Sequence, residues 1–336
     1  MKNIARLPKE ERLILFRNTA ANCGLSEGIV EKDFWVCWTL DYLFHQSPWT
    51  KHLAFKGGTS LSKSFDLIHR FSEDIDLILD WRLLESAQKD PWAQRSKNQQ
   101  DKLNKALNAE TEVFLRKQFV PRLQEDFAQL LVDEFQIEVD EHETQTVNFT
   151  YPKLFGEDSI LPMVRLEIGA LAAWTPTTQS EIISYAAQQY GRIFQNPSTS
   201  VLTVMPERTF WEKVTILHKE AFRTNGNFPA RYSRHYYDLF CMDASPVKAA
   251  AFRNLDLLAR VVILISHKML QKVWICNILK SQFGPPWPGA WPRAISDSFI
   301  PLQKVRKTPD FFQNPVFFMA FPTDLDSGWK ACNFNG

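Results

Sequence analysis

The fold is decided by the stretch Phe55–Leu79, FKGGTSLSKSFDLIHRFSEDIDLIL. Its first half contains two adjacent glycines followed by a threonine and a serine, and its second half contains Asp74 and Asp76. Apolar residues alternate with these aspartates, so a strand here buries one face and presents both carboxylates on the other. The stretch therefore predicts a glycine turn, a helix over Thr59–Ile68 and a strand that places the two carboxylates beside the turn.

Both halves suit a nucleoside triphosphate and its metal ion. Mg²⁺ prefers oxygen ligands and is usually held by one or two carboxylates together with substrate phosphates, so Asp74 and Asp76 are candidate ligands of Mg²⁺ or Mn²⁺. Glycines can adopt the positive φ angles that direct backbone N–H groups to a phosphate, and hydroxyl groups add donors. The candidate phosphate-binding residues of the turn are Gly57, Gly58, Thr59 and Ser60. Each half alone also fits a capped helix entry or a solvated strand face.

Five motifs follow one another along the chain in an order that is typical of one protein family. They are Val30–Trp35, Gly57–Lys63, Arg70–Leu77, Phe210–Lys213 and Arg234–Leu239. With these motifs the chain resembles the AbiEii/MenT-type nucleotidyltransferase toxins, a branch of the DNA polymerase β-like nucleotidyltransferase superfamily. The resemblance implies an α+β fold, in which a nucleotidyltransferase core with a small mixed sheet flanked by helices is followed by a helical C-terminal lobe.

A third acidic residue is expected on a neighbouring strand. In the run Met163–Gly169, apolar residues alternate with Arg165 and Glu167, so Glu167 can join the two aspartates. The resemblance implies a catalytic role, because the superfamily usually has a third acidic residue on such a strand, where it helps to deprotonate an attacking hydroxyl. The alternative is an ion pair with Arg165 on the sheet surface.

The resemblance also assigns residues of the helical lobe to the active centre. Lys213 matches a lysine that contacts the nucleotide phosphates, although a lysine beside an apolar stripe can also extend to water. Asp238 matches an aspartate of the active centre. Arg234 shares a helix face with Asp238 and is a candidate phosphate ligand, since guanidinium groups bind phosphate in bidentate fashion. A row of surface ion pairs is the alternative.

Three further features each have more than one interpretation. Lys63 and Arg70 are candidate phosphate contacts or solvated basic residues. Ser72 adjoins the two aspartates and is a candidate nucleotide-binding residue. It also matches a position at which a modified serine silences relatives, and is otherwise a turn residue. The acidic and basic run Glu31–Asp33 supports the nucleotide site or forms a solvated helix face with an intrahelical ion pair.

Composition excludes several classes of protein. The formal charge of +1 gives no overall attraction to nucleic acid, so any RNA contact depends on local patches. The five cysteines have no zinc-site spacing and are odd in number, which argues against a disulfide framework. No apolar run has the length of a signal peptide or a membrane span. A cytoplasmic protein with no membrane association is expected.

The chain is predicted to divide into three parts. Residues 1–203 form the nucleotidyltransferase core, with 170–200 at its edge, and residues 204–267 form a helical lobe that completes the active site. Residues 268–336 form an atypical tail rich in proline, tryptophan and phenylalanine, which departs from the family pattern. An altered reading frame and a lineage-specific extension both account for such a tail.

The predicted function is that of a Mg²⁺-dependent nucleotidyltransferase toxin from a toxin–antitoxin or abortive-infection system. The resemblance implies transfer of a nucleotide from an NTP to RNA, with the tRNA 3′ end as one acceptor, under control of an antitoxin partner. Two alternatives stay open. One is a kinase-like or small-molecule nucleotidyltransferase on the same fold, and the other is an inactive protein that binds a partner.

Overall fold

A computed structural model describes residues 1–85, 93, 95–156, 160–170, 176–221 and 232–265. The predicted tail, residues 268–336, lies outside this part of the chain, as do Cys276 and Cys332. Within the described ranges, no helix has both the length and the apolar character needed to cross a membrane.

The described part of the chain alternates helices and short strands. The helices are α1 (Lys2–Ala5), α2 (Lys9–Cys23), α3 (Glu27–His45), α4 (Gly57–Lys63), α5 (Lys97–Phe114), α6 (Val120–Leu130), α7 (Tyr185–Tyr190), α8 (Pro206–Ala221), α9 (Ser233–Asp243), α10 (Pro246–Arg253) and α11 (Leu255–Ile265). The strands are β1 (Leu53–Lys56), β2 (Ile75–Leu79), β3 (Gln136–Val139), β4 (Thr146–Thr150), β5 (Met163–Gly169), β6 (Thr177–Ile183) and β7 (Ser198–Val204). A π-helical turn, Leu115–Phe119, joins α5 to α6.

The strands form one mixed seven-stranded sheet in the order β3-β4-β5-β2-β1-β7-β6. β2 is parallel to β5 and antiparallel to β1, and β1 is parallel to β7. The strands that carry Asp76 and Glu167 are therefore central neighbours. Asp74, which the sequence predicts on the same strand as Asp76, lies one residue before β2. The structure confirms the expected α+β fold with a mixed sheet and flanking helices.

Helix α3 packs its aromatic residues against the sheet. Ser26 caps it by accepting a hydrogen bond from the Ile29 N–H. The Trp38 ring lies 4.7 Å from the Phe127 ring in an edge-to-face arrangement, and both side chains are buried. Such aromatic pairs add to the free energy gained from burying apolar area. α3 thus joins the long helical segment α5–α6 to the sheet.

The helix after the glycine turn differs from its prediction. α4 starts at Gly57 and ends at Lys63, whereas the sequence predicts a helix over Thr59–Ile68. Asp66 has a φ of 50°, a left-handed conformation that a helix cannot contain. The chain then runs without regular structure towards β2, so the segment before Asp74 is held by side-chain contacts.

The region 170–200 contains more structure than its prediction as a domain edge. Residues 176–200 include strand β6, helix α7 and the start of β7. β6 is an edge strand that pairs with β7. Its threonine, serine, glutamine and glutamate residues are polar, so the sequence does not show the apolar pattern that indicates a strand. The predicted boundary after Thr203 coincides with the end of β7 and stays a prediction.

Helices α8–α11 share an apolar cluster of their own. Its buried members include Phe210, Trp211, Leu239 and Leu258, and α4 contributes Leu61. The larger cluster lies around α2, α3, the α5–α6 segment and the sheet. The helical lobe therefore packs on the core through the helix that begins at the glycine turn.

We expect Trp38→Ala to lower the free energy of unfolding by about 3–5 kcal/mol, because it removes a buried ring and leaves a cavity. Ile14→Ala is the control, since Ile14 is 57% exposed, and its effect should stay within about 0.5 kcal/mol. Urea denaturation measures both. Similar losses for the two variants would contradict this packing arrangement.

Candidate active site

A row of polar residues crosses four central strands. In the sheet register Thr146 pairs with Glu167, Glu167 with Asp76, and Asp76 with Lys56. Directly paired residues on neighbouring strands present their side chains on the same face. The structure therefore brings Glu167 and Asp76 side by side, as the sequence predicts, and adds Lys56 on the other side of Asp76.

Gly57 provides the space that Asp76 occupies. Its φ is +80°, and a Cβ atom at this position would lie 1.8 Å from Oδ2 of Asp76. Every other residue type has such an atom, so only glycine fits. The turn and the strand carboxylate are therefore in direct contact, which places the backbone of the turn beside Asp76.

The second glycine lies against Arg70 and Ser72. A Cβ atom on Gly58 would lie 2.8 Å from Nη2 of Arg70 and 2.9 Å from Oγ of Ser72. The Thr59 hydroxyl donates its hydrogen to the Asp74 carbonyl and lies 3.0 Å from the Ser72 hydroxyl, so it connects α4 to the segment before β2. Ser72 thus lies between the glycine turn and Asp74.

The helical lobe contributes a buried carboxylate with two cationic partners. Arg70 donates to both oxygens of Asp238, at 2.7 and 2.8 Å, and Lys213 lies 2.8 Å from the same carboxylate. Asp238 is fully buried. Burial alone would raise its pKa, but the hydrogen bonds from Arg70 and the charge of Lys213 lower it. Asp238 is therefore ionised and holds both cations in position.

The three acidic residues Asp74, Asp76 and Glu167 have the opposite pKa shift. Burial raises the pKa of Asp74, and the charge of Glu73 raises it further. Burial also raises the pKa of Asp76, and the charge of Asp74 adds to that shift. The pKa of Glu167 is raised to about 7 by the surrounding protein, which reduces its solvation, and by the charges of Asp76 and Asp74, although its side chain keeps contact with solvent. Like charges so close disfavour ionisation of all three groups. A cation bound among them would remove this cost.

Several cations already reduce the repulsion. Lys56 and Lys213 lower the pKa of Asp76. Lys32, Arg165 and Arg234 do the same for Asp74, and Arg165 lies 3.9 Å from its carboxylate. The predicted lobe residues Lys213 and Arg234 are therefore electrostatic neighbours of the two aspartates. The charge of Arg165 lowers the pKa of Asp74 as well as that of Glu167. The alternative interpretation of an ion pair between Arg165 and Glu167 did not include Asp74.

A pocket of about 680 Å³ opens on this face of the sheet. Lys56, Asp76 and Glu167 line it from the strands, while Arg208 and Glu212 line it from α8. Glu212 accepts a hydrogen bond from Lys56 and one from Arg208. Burial alone would raise the pKa of Glu212, but these two cations lower it.

Sequence reasoning missed Lys56, Arg208 and Glu212 as site residues. Two signals were present, because Lys56 directly precedes Gly57 and Glu212 lies within the motif Phe210–Lys213. Arg208 lies outside the five motifs, although its spacing of four residues from Glu212 on one helix is itself a signal for their ion pair.

Two predicted contacts lie elsewhere. Lys63 forms a buried ion pair with Asp33 and lies 4.0 Å above the Tyr185 ring, so the structure does not bring its ammonium group to the carboxylates. The Ser60 hydroxyl donates to the Gly57 carbonyl and is buried. Both side chains stabilise the helix that carries the turn. Their predicted contact with the nucleotide stays a prediction.

The donor set fits a divalent cation that also has ligands from the substrate. Among the described residues, no group of three or more acidic, histidine or cysteine side chains is arranged to hold a metal unaided. Mg²⁺ does not require such a group, because one or two carboxylates suffice when phosphates and water complete its coordination. Asp74 and Asp76, with raised pKa values and the glycine turn beside them, supply this kind of partial site.

We expect Gly57→Ala to destabilise the protein more than Gly24→Ala. Both positions have positive φ, which costs about 1–2 kcal/mol for alanine, but a Cβ atom at Gly24 would have no atom within 4 Å. At Gly57 it would also displace the Asp76 side chain. Chemical denaturation compares the two variants. Equal losses would contradict the close contact between Gly57 and Asp76.

Comparison with known proteins gives three results. The search of curated proteins produced no match. Among solved structures, the nucleotidyltransferase toxin MenT4 from Mycobacterium tuberculosis H37Rv is similar, with 16% identity, a TM-score of 0.45, and coverage of 74% of this chain and 68% of that chain. Residues 40–311 match the family described as "Nucleotidyl transferase AbiEii toxin, Type IV TA system".

The matched range includes every candidate residue from Gly57 to Asp238 and spans most of the chain. The family's activity agrees with the carboxylates and the glycine turn that the fold brings together. The chain therefore belongs to the AbiEii family of nucleotidyltransferase toxins of type IV toxin–antitoxin systems.

Proposed function

We propose that the protein transfers a nucleotide from an NTP to an RNA acceptor in a Mg²⁺-dependent reaction, and that the tRNA 3′ end is such an acceptor. The observation that carries this proposal is the grouping of Asp74, Asp76 and Glu167 beside the glycine turn. Lys213 reaches the same site from the helical lobe. Carboxylates for a metal and cations for phosphates are what phosphoryl and nucleotidyl transfers require.

Asp74 and Asp76 would hold the metal. Mg²⁺, when bound, neutralises charge on the triphosphate and helps to align it for in-line attack on the α-phosphorus. Lys213 and Arg70 would bind phosphate oxygens, since Asp238 already holds both cations in one place. Backbone N–H groups at Gly57 and Gly58 would add donors. Arg234 approaches from α9, where its charge acts on Asp74.

Glu167 is the better candidate for the base that activates the acceptor hydroxyl. A general base is most effective when its pKa lies near the working pH, and the pKa of Glu167 is raised to about 7. Asp238 is the other candidate, but its pKa is lowered and its carboxylate is fully buried between two cations. We therefore assign proton transfer to Glu167 and the positioning of Arg70 and Lys213 to Asp238.

Two parts of the proposal rest on family membership. A type IV toxin implies a cognate antitoxin, and nucleotide transfer to RNA inside a cell implies a cytoplasmic location.

Ser72 is a candidate position for regulation, because its hydroxyl lies between Thr59 and the space beside Gly58. A modifying group there would crowd the glycine turn. Mass spectrometry of the toxin after co-expression with its antitoxin tests this, and unmodified Ser72 during full neutralisation would exclude it.

A small-molecule acceptor is the second candidate. The pocket of about 680 Å³ reaches both Asp76 and Glu167, and it is large enough for a compact acceptor. A kinase-like or small-molecule nucleotidyltransferase would use the same carboxylates and would modify its acceptor without any RNA.

Radiolabelled NTPs test the proposal directly. Purified protein is incubated with each NTP labelled at the α-phosphate, Mg²⁺ and either total RNA or a metabolite extract. We expect label in RNA with the wild type and at least a ~100-fold lower rate with Asp74→Ala or Asp76→Ala, because metal-dependent charge stabilisation is lost. Asp101→Asn is the control, since Asp101 is exposed on α5.

Label in a small molecule, and none in RNA, would support the second candidate. No incorporation by a folded wild type with any NTP or acceptor would contradict the proposed transferase reaction. Equal rates for the wild type and the two aspartate variants would remove Asp74 and Asp76 from the reaction.

We also expect metal binding to release protons near neutral pH. Below pH about 7 the free site keeps a proton on Glu167, and a bound cation favours the ionised form. The apparent affinity for Mg²⁺ should therefore rise between about pH 6 and about pH 8. Calorimetry in buffers of different ionisation enthalpy measures the proton release. Glu167→Gln should abolish most of it, and an unchanged release in this variant would contradict the assignment.

A further inference from the structure

Three consecutive residues of α3, Glu31, Lys32 and Asp33, are charged and buried, each with at most 2% of its surface exposed. The interpretation of this run as a solvated helix face is therefore wrong. A buried charge is costly unless it is paired and hydrogen-bonded. Other segments of the fold supply the ion pairs and hydrogen bonds that these three buried charges need.

Each of the three side chains binds a different segment. Glu31 accepts hydrogen bonds from the N–H groups of Leu154 and Phe155, which follow β4. Asp33 pairs with Lys63 at the end of α4 and accepts from the N–H of Tyr185. One turn of α3 therefore binds the connection after β4, the helix that begins at the glycine turn, and the start of α7.

Lys32 binds the two segments closest to the carboxylates. Its ammonium group lies 2.5 Å from the Glu73 carboxylate and donates to the Leu161 carbonyl at 3.0 Å. Glu73 immediately precedes Asp74, and Leu161 lies two residues before β5. The Lys32 side chain is 2% exposed and that of Glu73 is 20% exposed. The ammonium group is therefore enclosed at the point where the approach to β2 meets the approach to β5.

We propose that Lys32 is a positioning residue for the metal site, because its contacts with Glu73 and Leu161 fix the backbone that carries Asp74 and the entry to β5. This inference rests on the proposed function, since it takes Asp74 as a metal ligand. Lys32 is not proposed as a ligand of the metal. Its charge acts on Asp74, and its contact with Glu73 orients the backbone that carries Asp74, as groups around a metal site orient the ligands that bind the ion.

The local structure explains why a side-chain contact is needed here. α4 ends at Lys63, and the chain from there to Ile75 contains no regular helix or strand. Asp74 therefore lies outside the backbone ladder of β2, which starts one residue later. Its position depends on Thr59, which donates to the Asp74 carbonyl, and on the residue before it. Lys32 supplies a charged contact to that preceding residue.

The test measures metal binding without turnover. Mn²⁺ binding is followed by electron paramagnetic resonance in the presence of an NTP analogue that cannot be cleaved. We expect Lys32→Met to raise the Kd for Mn²⁺ by roughly 10–100-fold, the usual effect of losing a residue that orients a metal ligand. Lys32→Arg should recover part of the affinity, because it keeps a cation within reach of Glu73.

Kinetics separate positioning from general damage. In the transfer assay, Lys32→Met should raise the Mg²⁺ concentration needed for half-maximal rate more than it lowers kcat at saturating Mg²⁺. A variant that only unfolds more easily would lose active enzyme and keep the wild-type Mg²⁺ dependence. Lys9→Met is the matched control, because Lys9 pairs with Asp133 at 3.5 Å and is 62% exposed. Its metal affinity should equal that of the wild type.

A second variant keeps the test decisive if Lys32→Met does not fold. Glu73→Ala removes the partner at a partly exposed position and should weaken Mn²⁺ binding in the same way. The double variant should bind Mn²⁺ no more weakly than the single variant with the lower affinity, because both substitutions remove the same Lys32–Glu73 contact. Wild-type affinity in folded Lys32→Met or Glu73→Ala, or losses that simply add, would overturn the inference. A wild type that binds no metal would instead contradict the proposed function.

Discussion

Three carboxylates crowded on one face of the sheet repel one another, and much of the surrounding structure offsets this repulsion. Asp76 and Glu167 are paired directly on β2 and β5, and Asp74 lies next to them. The cations come from different elements: Lys56 from β1, Lys32 from α3, Arg165 from β5, Lys213 from α8 and Arg234 from α9. The pKa values of all three acids are nevertheless raised, so the site still favours additional positive charge.

A second group of charges, around Asp238, explains why the helical lobe packs where it does. Asp238 is buried in the lobe and receives Arg70 from the core and Lys213 from α8. Breaking such a buried group of charges leaves an uncompensated ion, so the three residues hold the lobe in one position on the core. The shared apolar cluster of α8–α11 with Leu61 of α4 has the same effect. The geometry of the candidate site and the packing of α8–α11 on the core are thus coupled.

Local sequence patterns predicted the centre of the structure well. The bounds of β5 agree with the predicted run Met163–Gly169, and Gly57 has the positive φ that the turn requires. The alternation around Asp76 and Glu167 placed both carboxylates on strand faces. These features are encoded within a few residues, where period and residue type are informative.

Features that depend on distant partners were not predictable in this way. Lys63 resembled a phosphate ligand because its buried partner, Asp33, is thirty residues away. Glu31 and Lys32 resembled surface residues for the same reason, although backbone N–H groups and Glu73 satisfy them inside the protein. The polar edge strand β6 has no apolar alternation over most of its length. A charge in the sequence does not show whether its partner is water or protein.

The most direct test of this account is a crystal structure with Mn²⁺ and an NTP analogue that cannot be cleaved, recorded at a wavelength where manganese scatters anomalously. The account predicts an anomalous peak in coordination contact with Asp74 and Asp76, with the triphosphate against Gly57 and Lys213. A peak bound by other residues, or a triphosphate away from the glycine turn, would contradict it.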